Sequence, residues 1–209
     1  MNLIENLKWR YATKEFDPNK KISNSDLDKL KEAIRLSVSS YGLQLYKVLI
    51  IENHEILKVL RKASWNQSQI TDASHLFVFC NFTRDFERKV DNYIHLISET
   101  QEIDFQKVQP YGEMIKNDLA ARSLDKKLVW AEKQTYLAMA NLIAACAELK
   151  IDACPMEGFI PTDYNEILGL TEQGLNAAVI VPVGYRSAND ITQFRKKVRK
   201  STEELFQLI

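Results

Sequence analysis

The chain has 209 residues, and its 28 lysines and arginines balance 28 aspartates and glutamates, so the formal net charge at pH 7 is zero. A hydrophobic fraction of 45% lies well above the range of disordered chains, and this length is enough for one compact domain with its own core. A neutral chain has no overall field that would draw it to nucleic acid or to an anionic membrane.

The sequence argues against a membrane span, a signal peptide and reactive cysteines. The longest uncharged stretch in a helical segment, 134–147, is shorter than the ~20 residues needed to cross a bilayer, and Glu5 interrupts the apolar N-terminus, which argues against a signal peptide. Cys80, Cys146 and Cys154 show no CxxC spacing, and the first two lie in apolar segments that favour buried, unreactive thiols. We therefore expect a reduced, soluble, cytoplasmic protein.

The first half of the chain predicts three helices and two strands. The helices are expected at 3–10 with Asn2 as cap, at 25–36 with Ser25 and Asp28 as a capping box, and at 54–62 with Asn53 as cap. The β-branched and apolar runs at 47–52 and 76–82 predict buried strands. The polar segment 64–72 between them is expected to be a loop.

The second half predicts mostly helix and one further strand. Apolar residues at helical spacing indicate a helix from Phe86 to about Ile97, and a weaker helical segment after it is expected to break near Pro110–Gly112. A long helix is expected over 125–150, and a short one after Asp163 as its cap. The third strand is expected over 177–183, and a basic tail follows. With no repeat or linker in the chain, the prediction is a single α+β domain over 1–209.

The second half of the long helix, 135–147, is apolar around most of its circumference. Such a helix must be covered on nearly every side, so we expect it at the centre of the molecule or in a subunit interface.

The sequence lacks the motifs of several large enzyme classes. Its six glycines form neither G-x-G-x-x-G nor the phosphate-binding loop of nucleotide triphosphatases, its three histidines show no metal-ligand spacing, and G-x-S-x-G is absent. What remains is a basic pattern: Arg10 and Lys14 near one end, and the run Arg195–Lys200 near the other. Taken alone, that run is typical of a solvated surface or a weak patch for polyanions.

An ordered set of motifs resembles the flavin-dependent nitroreductase family, and within it the oxygen-insensitive NAD(P)H nitroreductase and dihydropteridine reductase-like branch. The set spans nearly the whole chain, and each piece is weak alone. Its members are RYATKEFD from Arg10, SSYGLQLY from Ser39, Asn66 before the second strand, QTYLAMAN from Gln134, PMEGF from Pro155, VPVG from Val181 and KVR from Lys197.

The resemblance implies a mostly antiparallel sheet flanked by helices, a long buried central helix and an intertwined homodimer with two active sites at the interface. It also implies bound FMN, with NADH or NADPH as hydride donor and the flavin itself, not a side chain or a metal, carrying the chemistry. The implied cofactor-binding residues are Arg10, Tyr11, Ala12, Lys14, Ser39, Ser40, Asn66, Gln69, Gln134, Glu157, Gly158, Lys197 and Arg199.

The residue types suit those roles. The FMN phosphate is close to a dianion at pH 7, and Arg10, Lys197 and Arg199 would supply three cations for it. Lys14, Asn66 and Gln69 are candidates for the polar edge of the flavin ring, and Gly158 would allow a close backbone approach. Ser39, Ser40 and Gln134 are expected from the partner subunit. Ala12 stands where the family has Ser, and Gln69 where the closest branch has Lys.

The function expected from the resemblance is hydride transfer from nicotinamide through flavin N5 to nitroaromatic, quinone or similar acceptors by a ping-pong mechanism. Two alternatives stay open. One is a flavin, pteridine or enone reductase on the same FMN scaffold. The other is a non-enzymatic module that binds polyanions through Arg195–Lys200.

Overall fold

A computed structural model describes residues 3–209, which form a four-stranded antiparallel sheet with helices on both faces. The strands are β1 Tyr46–Ile51, β2 His75–Phe82, β3 Asp152–Ala153 and β4 Leu175–Gly184, in the order β1-β2-β4-β3. The α-helices are α1 Leu3–Trp9, α2 Asn24–Arg35, α3 His54–Lys62, α4 Gln69–Asp72, α5 Phe86–Gln101, α6 Phe105–Ala120, α7 Leu124–Glu148, α8 Pro161–Ile167 and α9 Thr202–Leu205. Short 3-10 turns lie at Ser40–Gly42 and Ile191–Phe194. The α+β prediction is confirmed.

The sheet separates two apolar layers because its side chains alternate between faces. Along β2, Leu76, Val78 and Cys80 face the layer that contains α3 and α8, whereas Phe77 and Phe79 face the layer that contains α2 and α7. A third apolar cluster joins α5 and α6 to the start of α7. The three predicted strands are confirmed with shifts of one or two residues, and the two-residue β3 was not predicted because it is too short to show a pattern.

Two helix starts test the capping predictions. Asn53 caps α3 as expected, since its side-chain oxygen accepts hydrogen bonds from the backbone N–H groups of Glu55 and Ile56 at 3.0 and 3.1 Å. The predicted capping box at Ser25 is wrong. Ser23 caps α2 instead, accepting from the Asp26 N–H at 3.1 Å. The predicted cap Asn2 of α1 lies outside the described residues.

The expected break near Pro110 is wrong, because α6 runs without interruption through it. Pro110 lies early in the helix and on its exposed side, where the lost hydrogen bond is exchanged for water. Gly112 is buried against α5, and a Cβ there would come within 2.7 Å of the Ile94 side chain. The glycine is therefore a packing contact between two helices and not a breaker.

Two smaller predictions are also corrected. Asp163 lies inside the first turn of α8 and does not cap it, because Pro161 at the first helical position sets the start and Ile160 is the cap residue. The segment 64–72, expected to be a loop, ends in the single-turn helix α4, which is buried at Gln69 and Ile70.

The long helix α7 buries one face and exposes the other in the single chain. Ala131, Ala138, Leu142 and Cys146 pack into the core at helical spacing, while Leu137 remains 43% exposed. Part of the apolar surface of α7 is therefore still uncovered.

Candidate functional site

A cleft of about 520 Å³ lies where the two ends of the chain meet. One side is formed by 9–12, directly after α1, and the other by 195–199 in the tail; Pro155 also lines it. We call this the basic cleft. The cleft forms at one edge of the sheet. Thr13 lies beside β3 there and donates its N–H to the Ala153 carbonyl at 3.5 Å, and β4, which pairs with β3, leads into the tail at the same edge.

Three cations of the basic cleft, Arg10, Lys197 and Arg199, lie close enough together for their charges to interact. The Lys197 ammonium donates a hydrogen bond to the backbone carbonyl of Arg10. Burial, followed by the charge of Arg199, lowers the pKa of Arg10. Burial, followed by the charges of Arg10 and Arg199, lowers the pKa of Lys197. Residues 187 or more positions apart in the sequence are thus neighbours in the fold.

No carboxylate within residues 3–209 forms a salt bridge with Arg10, Lys197 or Arg199. Three mutually repelling cations that share a cleft without a counter-charge form an arrangement suited to a multiply charged anion. The exposed Lys14 lies on the same side of the molecule: it and Arg10 both act to lower the pKa of the Cys154 thiol, which burial raises overall.

A second group of predicted residues comes from the loop before α4 and the loop after β3. Gln67 joins the two loops by donating its side-chain N–H to the carbonyl of Gly158 at 2.9 Å. Asn66 adopts a left-handed conformation with φ of 59° and accepts a hydrogen bond from Arg61 at 3.1 Å, while Gln69 is buried. Asn66, Gln69, Glu157 and Gly158 are therefore held in one region of the fold.

Gly158 is closely packed in that region. A Cβ at this position would lie 3.0 Å from both the Trp65 ring and the Gln67 amide nitrogen. Trp65 itself has a left-handed backbone with φ of 53°, unusual for a bulky residue, and its side chain is 68% exposed. The loop therefore places an exposed aromatic ring against a glycine that has no room for a side chain.

The second group adjoins the basic cleft. Glu157 accepts a hydrogen bond from the Tyr136 hydroxyl at 2.7 Å, and both residues line a cavity of about 360 Å³ that also includes Pro155. Burial, followed by the hydrogen bond to Glu157, raises the pKa of Tyr136. Because Pro155 lines both cavities, the two groups of predicted residues are continuous.

The third group stays apart in the single chain. The Ser40 N–H donates to the Gln134 side-chain oxygen at 2.8 Å, and the Ser39 hydroxyl accepts from the Gln44 N–H at 3.0 Å. Over the described ranges of the chain, none of Ser39, Ser40 and Gln134 lines either cavity. The structure brings these three together but not with the other predicted residues.

Sequence reasoning missed three residues of this region. Asp190 bonds to the segment that carries Lys14, Tyr136 bonds to Glu157, and Trp65 covers Gly158. Asp190 has a local signal, because an acid two residues before a threonine at the start of a helical turn is a typical N-cap. Tyr136 and Trp65 have none, because only the tertiary contacts distinguish them from core or surface aromatics.

The cysteines are buried and unpaired, as predicted for Cys80 and Cys146. Burial raises the pKa of Cys80 to about 12 and raises that of Cys146 further, so neither thiol ionises at neutral pH. Across residues 3–209, no three His, Cys, Asp or Glu side chains lie close enough together to hold a metal ion. In the same part of the chain, no helix has both the length and the apolar character of a membrane span.

Comparison with known proteins places this geometry in one family. The family model "Nitroreductase family" matches residues 7–185. YfkO of Bacillus subtilis (strain 168), named as a candidate NAD(P)H nitroreductase, is 34% identical over 99% of this chain and 97% of its own length. The chain therefore belongs to the nitroreductase family, a family of FMN-using oxidoreductases, and is an NAD(P)H-dependent enzyme of that class.

Solved structures show the same fold at low sequence identity. A candidate nitroreductase from Exiguobacterium sibiricum 255-15, solved in complex with FMN, superimposes with a TM-score of 0.85 at 17% identity, covering 100% of this chain and 98% of its own. The enone reductase CLA-ER superimposes with a TM-score of 0.83 at 15% identity and the same coverage. The nitroreductase fold is thus shared by enzymes with different acceptors.

Proposed function

We propose that this protein is a single-domain, FMN-dependent NAD(P)H oxidoreductase that passes hydride from nicotinamide through flavin N5 to nitroaromatic, quinone or similar acceptors by a ping-pong mechanism. The observation that carries the proposal is the basic cleft, where Arg10, Lys197 and Arg199 converge without a counter-charge. The three buried free cysteines of the protein are consistent with a reducing cytoplasm.

The residues fit FMN along its length. The phosphate dianion would neutralise the three cations, with both arginines able to bind oxygens bidentately. The ribityl chain would pass Pro155, which lines both cavities. The flavin ring would then lie against the backbone of Glu157 and Gly158, with Lys14, Asn66 and Gln69 at its polar edge.

When bound, FMN supplies the redox chemistry by taking up and releasing hydride at N5. The chain's own residues bind and orient it. The N–H groups of Glu157 and Gly158 would face N5 and O4, and the Tyr136 hydroxyl fixes the Glu157 carboxylate through a hydrogen bond of 2.7 Å. Positioning of this kind supplies much of the rate without a side-chain nucleophile.

Two departures from the family pattern adjust this site without removing it. Ala12 lacks a hydroxyl donor, which reduces cofactor affinity by about 1 kcal/mol. Gln69 is buried and neutral where a lysine stands in the closest branch, so one cation beside the flavin ring is replaced by an amide.

We also infer that the enzyme is a homodimer with its active sites at the subunit interface. Three features support this: the uncovered face of α7, the separate position of Ser39, Ser40 and Gln134, and the tail, which is exposed throughout 195–209. The tail ends in the apolar residues Leu205, Phe206, Leu208 and Ile209.

The second copy offers a place for that tail. The strand β1 is an edge of the sheet, and a groove beside it is lined by apolar and by polar or charged side chains. The apolar ones are Ile34, Tyr46, Val48 and Ile50, and the others are Lys31, Arg35 and Gln44. An exposed strand edge readily pairs with a strand from another chain. We therefore assign this groove to the tail of the partner subunit.

The proposed activity is tested by purifying the protein and measuring its absorbance and turnover. We expect a yellow protein that releases FMN on denaturation and oxidises NADH or NADPH in the presence of nitroaromatics or quinones. A colourless protein that ignores added FMN would refute the proposal. An acceptor panel that adds flavins, pteridines and enones separates the alternative reductase activities.

The interface is tested with the double variant Leu208→Lys/Ile209→Lys, whose charges would be repelled by Lys31 and Arg35 in the groove. Sedimentation should show wild-type dimer and a shift of the variant toward monomer. The same experiment on Leu96→Lys, an exposed leucine of α5, is the control. Wild-type monomer loaded with FMN would contradict the dimer.

Steeply salt-dependent binding to nucleic acid by the flavin-free protein would instead favour the polyanion-binding alternative.

A further inference from the structure

Asp190 is a buried carboxylate that connects the two segments of the basic cleft. It lies directly before the 3-10 turn Ile191–Phe194 at the start of the tail, and it is only 1% exposed. Its carboxylate accepts four hydrogen bonds from both segments, listed by donor as Tyr11 hydroxyl at 2.9 Å, Lys14 N–H at 2.8 Å, Glu15 N–H at 3.2 Å and Thr192 N–H at 2.9 Å.

These bonds join parts of the chain that are far apart in sequence. One oxygen of Asp190 is bound by the segment that carries Lys14 and follows Arg10, whereas the other is bound by Thr192 in the segment that leads to Lys197. The backbone of Asp190 is fixed as well, since its carbonyl accepts from the Gln193 side chain at 2.9 Å. Asp190 therefore helps to fix the relative position of the two segments, together with the backbone hydrogen bonds from Ser187 N–H to the Glu15 carbonyl and from Asp17 N–H to the Tyr185 carbonyl, both at 2.8 Å.

Its charge also matters. Burial opposes ionisation of Asp190, but the hydrogen bonds from Lys14, Thr192 and Tyr11 outweigh it and lower its pKa. Asp190 is therefore an ionised carboxylate between the two segments that carry the cations. It stabilises the segments without occupying the cations, because it bonds backbone N–H groups and a phenol and not Arg10, Lys197 or Arg199.

From this geometry we infer that Asp190 is a positioning residue for the phosphate of the cofactor. It fixes the N-terminal and tail segments at the separation at which their cations meet a single phosphate group. This inference rests on the proposed FMN site. A binding group held in place before the ligand arrives loses less entropy on binding, so the ordering by Asp190 appears as affinity for the phosphate.

The test compares FMN with riboflavin, which has the same ring and ribityl chain but no phosphate. Asp190→Asn removes the charge and turns one of the two accepting oxygens into an NH2 donor. In either orientation of the amide, one of the two segments then meets a donor in place of its acceptor, so the segments should separate. Because the lost hydrogen bonds are charge-assisted and therefore of the stronger class, we expect the dissociation constant for FMN to rise about tenfold. The constant for riboflavin should stay nearly unchanged. Trypsin should cut the apoprotein faster after Lys196 and Lys197.

Asp163→Asn is the matched control, because it removes a carboxylate on α8 that lines neither cavity. Tyr11→Phe keeps the Asp190 charge and removes one donor, and should raise the FMN constant about threefold. It provides the test should Asp190→Asn not fold. Equal losses for FMN and riboflavin, or no loss in either variant, would overturn the inference. Wild-type protein that fails to bind FMN would instead overturn the proposed function.

Discussion

Replacing Lys197 and Arg199 together with alanine should weaken FMN binding while leaving the apoprotein folded. Both side chains lie on the exposed tail, and neither forms a salt bridge within residues 3–209, so their removal breaks no ion pair of the fold. The charge of Arg199 acts to lower the pKa of Arg10 and of Lys197, so it disfavours the charged state of both. The free energy of unfolding of the apoprotein should therefore stay the same or increase slightly.

The loss of affinity follows from the contacts removed. A hydrogen bond that involves a charged group contributes about 1.5–3 kcal/mol, and the lower end applies to exposed side chains. Two such bonds to the phosphate give about 3 kcal/mol, or roughly a 150-fold higher dissociation constant at 1.36 kcal/mol per tenfold. Riboflavin affinity should change little, because riboflavin has no phosphate.

The assay is a titration of apoprotein with FMN and with riboflavin, followed by flavin fluorescence, at two salt concentrations. Lys62→Ala/Lys200→Ala removes the same net charge from residues that do not line the basic cleft, and serves as the control. The wild-type FMN constant should depend on salt more steeply than that of the variant. An unchanged FMN constant in the Lys197/Arg199 variant would refute the assignment of the phosphate to this cleft.

Three further predictions concern pH, backbone approach and the core. Because burial and the charges of Arg10 and Arg199 lower the pKa of Lys197, this ammonium should lose its charge below the ordinary lysine value of 10.5. FMN affinity, measured by fluorescence titration, should therefore fall as pH increases toward that range, whereas riboflavin affinity should not; equal pH dependence for the two ligands would contradict the assignment. Gly158→Ala forces the Trp65 ring to move and should slow turnover about tenfold with little change in melting temperature; full activity would contradict the backbone approach. Leu142→Ala, fully buried on α7, should lower the free energy of unfolding by about 3 kcal/mol in urea titrations, and a loss below 1 kcal/mol would contradict its packing.

Local features of the fold could be predicted from the sequence because their causes are local. The continuous apolar run Leu76–Cys80 specifies a strand that is buried on both faces. Asn53 specifies a helix start through its own side chain. The prediction of a helix break at Pro110 is wrong because the outcome there depends on tertiary contacts. Whether a proline or a glycine ends a helix depends on what packs beside it, and Gly112 packs against a different helix.

The candidate site divides in the same way. The sequence by itself determined which residue types are available for a phosphate and a flavin ring, and the order of its motifs identified the family. Only the tertiary structure decided that Arg10 meets Lys197, that Pro155 joins the two cavities and that Asp190 connects both segments. The contacts of Arg10 with Lys197 and of Asp190 with Lys14 join residues more than a hundred positions apart. No periodicity or propensity encodes them, because they arise only when the folded sheet brings both ends of the chain to one of its edges.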